Sequence, residues 1–150
     1  MALVFVQFRC TPGQTYEVAD AIWDREVVSE LYSTSGDYDL IAMFDCLHDM
    51  GDPVGAGRHV KDALADGGAW MIVEPFAHDK LKDNLNPVGR VYYGASAMIC
   101  TPASQAQEVG LALGAQAGEM QLRKVAMDAG FSHFKRATET PFNIVFEARA

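Results

Sequence analysis

Asp45 and His48 are the side chains of this sequence best placed to bind a ligand. They directly follow an alternating apolar segment that predicts a strand, and open α/β sheets bind their ligands beyond the carboxyl ends of strands. The alternative is a surface turn in which Asp49 or Asp52 caps the next helix. Asp45 and His48 are therefore candidate ligand-binding residues, and the surface turn stays open beside that interpretation.

Glu74 ends a second apolar segment, Ala69 to Glu74, which suits a buried strand. Its carboxylate could lie over a pocket, although such a residue more often ends a strand in solvent. The four histidines, His48, His59, His78 and His133, show no pair with metal-ligand spacing, and neither do the three cysteines. We therefore expect no metal site, and we assign no catalytic residue.

The surrounding pattern predicts an α/β protein. Strands are expected at 2–10, 27–34, 38–45, 69–74, 131–137 and 142–148, and a short helix ends near Trp23. Asp52 and Pro53 begin a helix that Gly67-Gly68 ends. A further helix covers about 91–99 and is stopped by Thr101-Pro102, and another covers 122–129 and is closed by Gly130.

Composition excludes two classes of partner. The chain has 150 residues and a net charge of −8, with scattered basic residues, so nucleic acid is not an expected partner. No apolar run is long enough to cross a membrane. The N-terminus carries no basic region followed by a cleavage site. Together with three cysteines that we interpret as reduced thiols, this predicts a cytoplasmic protein.

Residues 3–45 resemble the first half of the effector-binding domain of the Lrp/AsnC transcription regulators. The resemblance lies in the opening strand Leu3 to Phe8, in Pro12-Gly13, and above all in Ser35-Gly36-Asp37-Tyr38-Asp39-Leu40. That family implies a ferredoxin-like βαββαβ domain that dimerises and binds amino acids or other small effectors. It makes Gly36, Asp37, Tyr38 and Asp39 candidate ligand-binding residues.

Residues 38–150 resemble the C-terminal half of a class I S-adenosylmethionine-dependent methyltransferase. The matching segments are Phe44 to Met50, Asp52-Pro53, Gly67 to Pro75, Gln121 to Arg123, Ala129 to Phe131 and Pro141 to Arg149. In that family a glycine-rich turn and an acidic residue on earlier strands bind the cofactor. Both belong to the half that this chain lacks, and Gly55-Ala56-Gly57 is expected inside a helix rather than in such a turn.

Tyr38 to Asp45 fits both resemblances, which predicts a chimera joined in one shared strand. The expected fold is a ferredoxin-like βαββ half (1–45) joined to the C-terminal half of a Rossmann-like methyltransferase sheet (46–150), with helices packed on a mixed sheet. Residues 53–76 either complete the ferredoxin-like order or keep strands 38–45 and 69–74 adjacent and parallel.

Three functions follow from this reading of the sequence. The first is a folded chimera, natural or engineered, that has no catalytic activity and binds no cofactor. The second is a dimerising module that binds small molecules. The third is a methyltransferase-type enzyme that needs a partner. Homodimers are expected, because each parent leaves apolar surface uncovered.

Overall fold

The computed structural model describes residues 38–150, and these form a four-stranded mixed sheet covered by helices. The strands are β1 (Tyr38–Phe44), β2 (Leu64–Pro75), β3 (His133–Glu139) and β4 (Asn143–Arg149), in the spatial order β1-β2-β4-β3. β1 and β2 are parallel, whereas β4 is antiparallel to both β2 and β3. The α/β class predicted from the sequence is confirmed.

The parallel pairing of β1 and β2 decides between the two predicted arrangements. Leu40 lies opposite Ala69 and Phe44 opposite Val73, so the two strands are direct neighbours. This is the Rossmann-like alternative. The ferredoxin-like half is not visible in residues 38–150, and the predicted elements at 2–34 lie outside the described residues. The division into 1–45 and 46–150 therefore stays a prediction.

Helix α1 (Pro53–Ala63) connects the parallel strands. It begins as predicted, since the side chain of Asp52 accepts a hydrogen bond from the Gly55 amide (2.8 Å) and Pro53 occupies the first turn. It ends at Ala63, four residues before Gly67, because Leu64 is already extended and belongs to β2. The longer β2 keeps its predicted buried part, from Ala69 to Glu74.

A 3₁₀ turn at Leu47–Asp49 follows β1. The segment after β2 contains a 3₁₀ turn at Leu81–Asn84, then α2 (Pro87–Ala95), a π-helical turn (Ser96–Cys100) and α3 (Thr101–Gln105). The prediction that Thr101-Pro102 stops the helix is wrong. Pro102 lies in the first turn of α3, where its missing N–H and fixed φ are tolerated. The chain therefore continues in helical conformation through the proline.

Helix α4 (Gly118–Asp128) packs beside α1 and is followed by Gly130, whose φ of 98° suits glycine. The core joins the sheet to these two helices. Trp70 on β2 is fully buried and its ring lies 5.2 Å from that of Phe131, while Phe134 and Phe146 stack at 4.9 Å. No helix in residues 38–150 is both long and apolar enough to cross a membrane.

Candidate functional site

A buried imidazole–carboxylate pair lies where β1 and β2 end. His48 is in the 3₁₀ turn after β1, and its Nδ1 is hydrogen-bonded to Oε2 of Glu74, near the end of β2. The other oxygen, Oε1, accepts the Leu47 amide at 3.0 Å. His48 is 4% exposed and Glu74 2% exposed. His48 is therefore not exposed as the surface-turn interpretation implied, although Asp52 does cap the next helix as that interpretation expected. The expectation that Glu74 ends its strand in solvent is wrong.

The carboxyl ends of parallel neighbours meet at one edge of a sheet, which explains how residues 26 positions apart pair. An ionised carboxylate can only accept hydrogen bonds, so Glu74 requires the proton of the imidazole on Nδ1. In the neutral imidazole Nε2 then carries the lone pair. Glu74 therefore fixes the orientation of the ring and selects the nitrogen that can accept a further proton or bind an ion.

The electrostatics of the pair follow from burial and from three carboxylates. Burial alone would lower the pKa of His48, but the hydrogen bond and charge of Glu74, with the charges of Asp49 and Asp45, raise it above its ordinary value. Burial raises the pKa of Glu74 above its ordinary value, although the hydrogen bonds from His48 and Leu47 act to lower it. The contact with Glu74 therefore favours the protonated imidazole, whereas burial favours the protonated carboxyl group of Glu74.

The loop that carries His48 is held by Ser104 on α3 and by Gln107, two residues after the end of α3. Ser104 is fully buried, and its hydroxyl donates to the Met50 carbonyl at 2.8 Å. The Gln107 side chain donates to the Asp49 carbonyl (2.8 Å) and accepts the Gly51 amide (2.9 Å). Three backbone groups of the loop are thus fixed by two side chains, which fixes the position of the imidazole.

Asp45 lies at the rim of this site. It is exposed, has a φ of 46°, and accepts a hydrogen bond from the Asn143 side chain at 3.0 Å. Partial burial raises the pKa of Asp45, as does the charge of Asp49, while His48 and Asn143 act in the opposite direction. The structure therefore brings the predicted residues Asp45 and His48 to one site, at the strand ends where they were expected.

Two of the other predicted ligand-binding residues, Tyr38 and Asp39, lie at the start of β1. Tyr38 is 8% exposed and belongs to the hydrophobic core, whereas Asp39 is exposed on β1. Gly36 and Asp37 lie outside the described residues. A ligand site at this turn stays a prediction.

Four residues of the site escaped the sequence analysis. Glu74 was noted but placed in solvent. The others are Ser104, Gln107 and Cys100, which lies near His48 and Asp49 although the sequence separates them by about fifty residues. The sequence signal that could have found Glu74 is the pair of strand ends. If the strands that precede His48 and Glu74 are parallel neighbours, both side chains lie at the same edge of the sheet.

Comparison with known proteins identifies the fold. No family model and no curated protein matches the sequence. Among solved structures, a putative O-methyltransferase from Nostoc punctiforme is similar at 22% identity, with a TM-score of 0.52 over 92% of this chain and 42% of that one. An O-methyltransferase family protein from Burkholderia thailandensis is 16% identical, with a TM-score of 0.53 over 92% of this chain and 42% of that one. Human N-acetylserotonin methyltransferase is 16% identical, with a TM-score of 0.51 over 77% of this chain and 30% of that one.

These similarities show a methyltransferase-like fold, and the chain spans less than half the length of the structures it matches. The resemblance of residues 38–150 to methyltransferases is thereby supported. None of the comparisons supports a resemblance of residues 3–45 to Lrp/AsnC domains, or a chimera.

Proposed function

We propose that residues 38–150 are the acceptor-activating half of a methyltransferase fold, in which His48 accepts the proton of a hydroxyl group on a small molecule. The observation that carries the proposal is the buried hydrogen bond between His48 Nδ1 and Glu74. A methyl group is transferred more readily to an oxygen whose proton is being removed, and a positioned imidazole is the commonest protein base for that task.

Glu74 supports this role by holding the imidazole with Nε2 available. The same arrangement of base and orienting carboxylate occurs wherever a histidine must take up a proton in a defined direction. Ser104 and Gln107 hold the backbone directly after His48, at residues 49–51, so the base keeps its position when a ligand binds. Asp45 and Asn143 at the rim offer polar contacts that orient the acceptor.

S-adenosylmethionine supplies the methyl group in this fold family, but residues 38–150 do not fit its binding site. Gly55 and Gly57 lie inside α1, and a side chain at Gly57 would meet Ala129 and the Trp70 ring. Glycine is thus required there for helix packing rather than for a close approach of backbone to cofactor. We derive no step through the cofactor and assign to these residues only the binding and deprotonation of the acceptor.

The proposal is tested by titrating the isotope-labelled chain with a panel of small phenols and following the imidazole resonances of its four histidines. We expect one or more phenols to shift the His48 resonances and to leave those of His59, which is exposed on α1, unchanged. His48→Gln should weaken binding of that phenol, while His59→Gln should not. If no phenol moves His48 at millimolar concentration, the proposal is wrong.

The finer structure predicted from the sequence, a chimera that dimerises, also remains a proposal. One observation favours self-association. The segment from Leu81 to Ile99 carries large apolar side chains that are 62–78% exposed, namely Leu81, Leu85, Val91, Met98 and Ile99. Apolar surface of this kind marks a region that another surface covers. A second copy of the chain is the partner we propose.

A further inference from the structure

Three side chains with metal-binding atoms meet beside the imidazole–carboxylate pair. Nε2 of His48, a carboxylate oxygen of Asp49 and Sγ of Cys100 all lie within 4.8 Å of one another. His48 and Asp49 come from the 3₁₀ turn after β1, and Cys100 is the last residue of the π-helical turn. His48 and Cys100 are buried, and the Asp49 side chain is 42% exposed, which leaves an approach from solvent.

The spacing suits a small tetrahedral cation. Two ligands at about 2 Å from a tetrahedral zinc ion lie about 3.3 Å apart. His48 Nε2 and Asp49 Oδ1 are 3.3 Å apart. A thiolate binds zinc at about 2.3 Å, which places the sulfur about 3.5 Å from each of the other two ligands. The three atoms lie within 4.8 Å of one another, so the sulfur of Cys100 has to approach the other two by at most about 1.3 Å.

Asp49 Oδ1 is a second observation at this cluster. This oxygen is shielded from solvent and has no hydrogen bond of good geometry among residues 38–150, although Nε2 of His48 lies 3.3 Å from it. The thiol of Cys100 also contacts the Asp49 side chain. A shielded carboxylate oxygen whose neighbours are poorly aligned is costly, and a bound cation would remove that cost.

Glu74 provides the outer contact that metal-binding histidines usually have. Histidine ligands commonly donate their second ring N–H to a carboxylate, which fixes the tautomer and makes the ligating nitrogen more basic. The bond from His48 Nδ1 to Glu74 has this form and leaves Nε2 directed to Asp49.

We propose that His48, Asp49 and Cys100 form a zinc site with one nitrogen, one oxygen and one sulfur ligand. The mixed set favours zinc over magnesium or calcium, which prefer oxygen ligands alone. Three protein ligands leave a fourth position for water or another small ligand. Binding releases the thiol proton of Cys100 to solvent and forms the sulfur–zinc bond.

This site goes beyond the proposed function and competes with it. Zinc on Nε2 occupies the lone pair that the acceptor hydroxyl would need, so a metal-loaded chain cannot accept a proton at that atom. The metal test is therefore done without any phenol. A phenol titration of metal-free protein that shifts His48 supports the proposed function whatever the metal result.

The experiment uses chelator-treated protein and cobalt(II), followed by competition with zinc. We expect one equivalent of cobalt to give the near-ultraviolet charge-transfer band of a cobalt–thiolate bond, and zinc to abolish it. Cys100→Ser should remove the band, whereas Cys46→Ser, the matched control, should keep it. By calorimetry, Glu74→Gln should weaken zinc binding about 10–100-fold, and His48→Gln at least as much.

Circular dichroism melts establish that each variant is folded. If Cys100→Ser does not fold, Asp49→Asn replaces it, since this change keeps the size of a half-exposed side chain and should weaken zinc binding at least tenfold. The proposal is overturned if cobalt gives no charge-transfer band, if the band depends on Cys46 rather than Cys100, or if zinc binds the folded His48 and Asp49 variants as tightly as the parent.

Discussion

Glu74 is the residue on which both proposals depend. It is 2% exposed and makes two hydrogen bonds, one with the Leu47 amide and one with the imidazole of His48. A buried carboxylate is tolerated only when such partners replace its water. Glu74 therefore stabilises the loop after β1 as well as orienting its histidine.

We expect Glu74→Gln to destabilise the protein by about 1–3 kcal/mol. The carboxamide has only one oxygen, so it cannot accept from both the Leu47 amide and His48 Nδ1, and its NH₂ group faces one of these donors. Urea denaturation measures the free energy of unfolding. Glu108→Gln removes the same charge from an exposed position and should change stability by less than about 0.5 kcal/mol. Equal stability of the two variants would show that the buried pair contributes nothing.

The sequence predicted part of this site and not its centre. Asp45 and His48 follow β1, as the alternating pattern predicted, and their binding of a ligand stays a prediction. The partnership with Glu74 depends on two strands being parallel neighbours, which periodicity does not reveal. Cys100 depends on how a π-helical turn rotates the chain, and spacing rules for metal ligands apply only to residues close in sequence.

At the scale of elements, α1 approaches β2 and α4 closely at Gly57. A β-carbon there would lie 2.8 Å from that of Ala129 and 3.1 Å from the Trp70 ring. Both neighbours are fully or almost fully buried and cannot withdraw. The glycine in α1 is thus the contact that sets the distance between the crossover helix and the sheet.

Gly57→Ala should lower the free energy of unfolding by about 1–3 kcal/mol through overpacking. Gly94→Ala is the matched control, since it also lies in a helix and its new β-carbon would meet no atom within 4 Å. It should stabilise the protein by about 0.5–1 kcal/mol, because alanine loses less backbone entropy than glycine. Chemical denaturation of both variants measures whether the two changes in the free energy of unfolding have opposite signs. If Gly57→Ala leaves the free energy of unfolding unchanged, α1 can shift to accommodate the extra methyl group.

Helix α4 is joined to β3 by an ion pair in which Glu119 accepts from Arg136 at 2.8 Å. Glu119 also accepts from Arg123, one turn further along α4, at 3.0 Å. Partial burial by itself would raise the pKa of Glu119. The guanidinium groups of Arg136 and Arg123 outweigh it and hold that pKa below its ordinary value. A depressed carboxylate pKa stabilises the fold above the unfolded-state pKa, and this stabilisation is lost as the pH falls through the folded-state value.

Glu119→Gln should therefore destabilise the protein near pH 7, by less than about 1 kcal/mol because the arginines are partly exposed. The difference from the parent should shrink below a pH of about 4.3, where the free carboxyl group takes up its proton. Urea titrations at both pH values give this difference directly. A difference that does not depend on pH would contradict the ion-pair explanation.

The elements themselves were largely predictable. Caps and glycines located α1 and α4, alternation located β1, and the apolar run 69–74 located the buried part of β2. β3 and β4 lie within two residues of the predicted strands 131–137 and 142–148. The failures lie where a proline begins a helical turn instead of ending one, and where Leu64 leaves α1 before the glycines. Leu64 pairs with Tyr38 of β1, so a contact between strands decides where α1 ends. Pro102 lies in the first turn of α3, a position that the sequence permits as readily as a helix end.

At the scale of the whole molecule, the exposed apolar segment from Leu81 to Ile99 predicts self-association. Light scattering at micromolar concentration should report a dimer. Met98→Lys with Ile99→Lys should shift it toward monomer, because charges would be buried between copies. Met120→Lys alters a side chain that is also exposed, at 68%, but lies on α4, and should leave the dimer intact. A parent that is monomeric throughout would exclude the dimer.

S-adenosylmethionine should not bind specifically to this chain, since Gly55 and Gly57 serve helix packing and no cofactor turn occurs in residues 38–150. Thermal-shift and calorimetric titrations should show no stabilisation at millimolar cofactor. Micromolar binding, which corresponds to about −8 kcal/mol, would show that a cofactor site exists in this chain.

The position of β4 has a consequence for folding of the protein during its synthesis on the ribosome. β4 is the last strand in sequence, yet it lies between β2 and β3. Neither neighbour can complete its hydrogen bonds on that side until residues 143–149 have emerged from the exit tunnel. While residues 76–142 are being synthesised, the apolar edge of β2 therefore has no β4 to pair with. An unpaired strand edge promotes aggregation, and chaperones can protect it during this period.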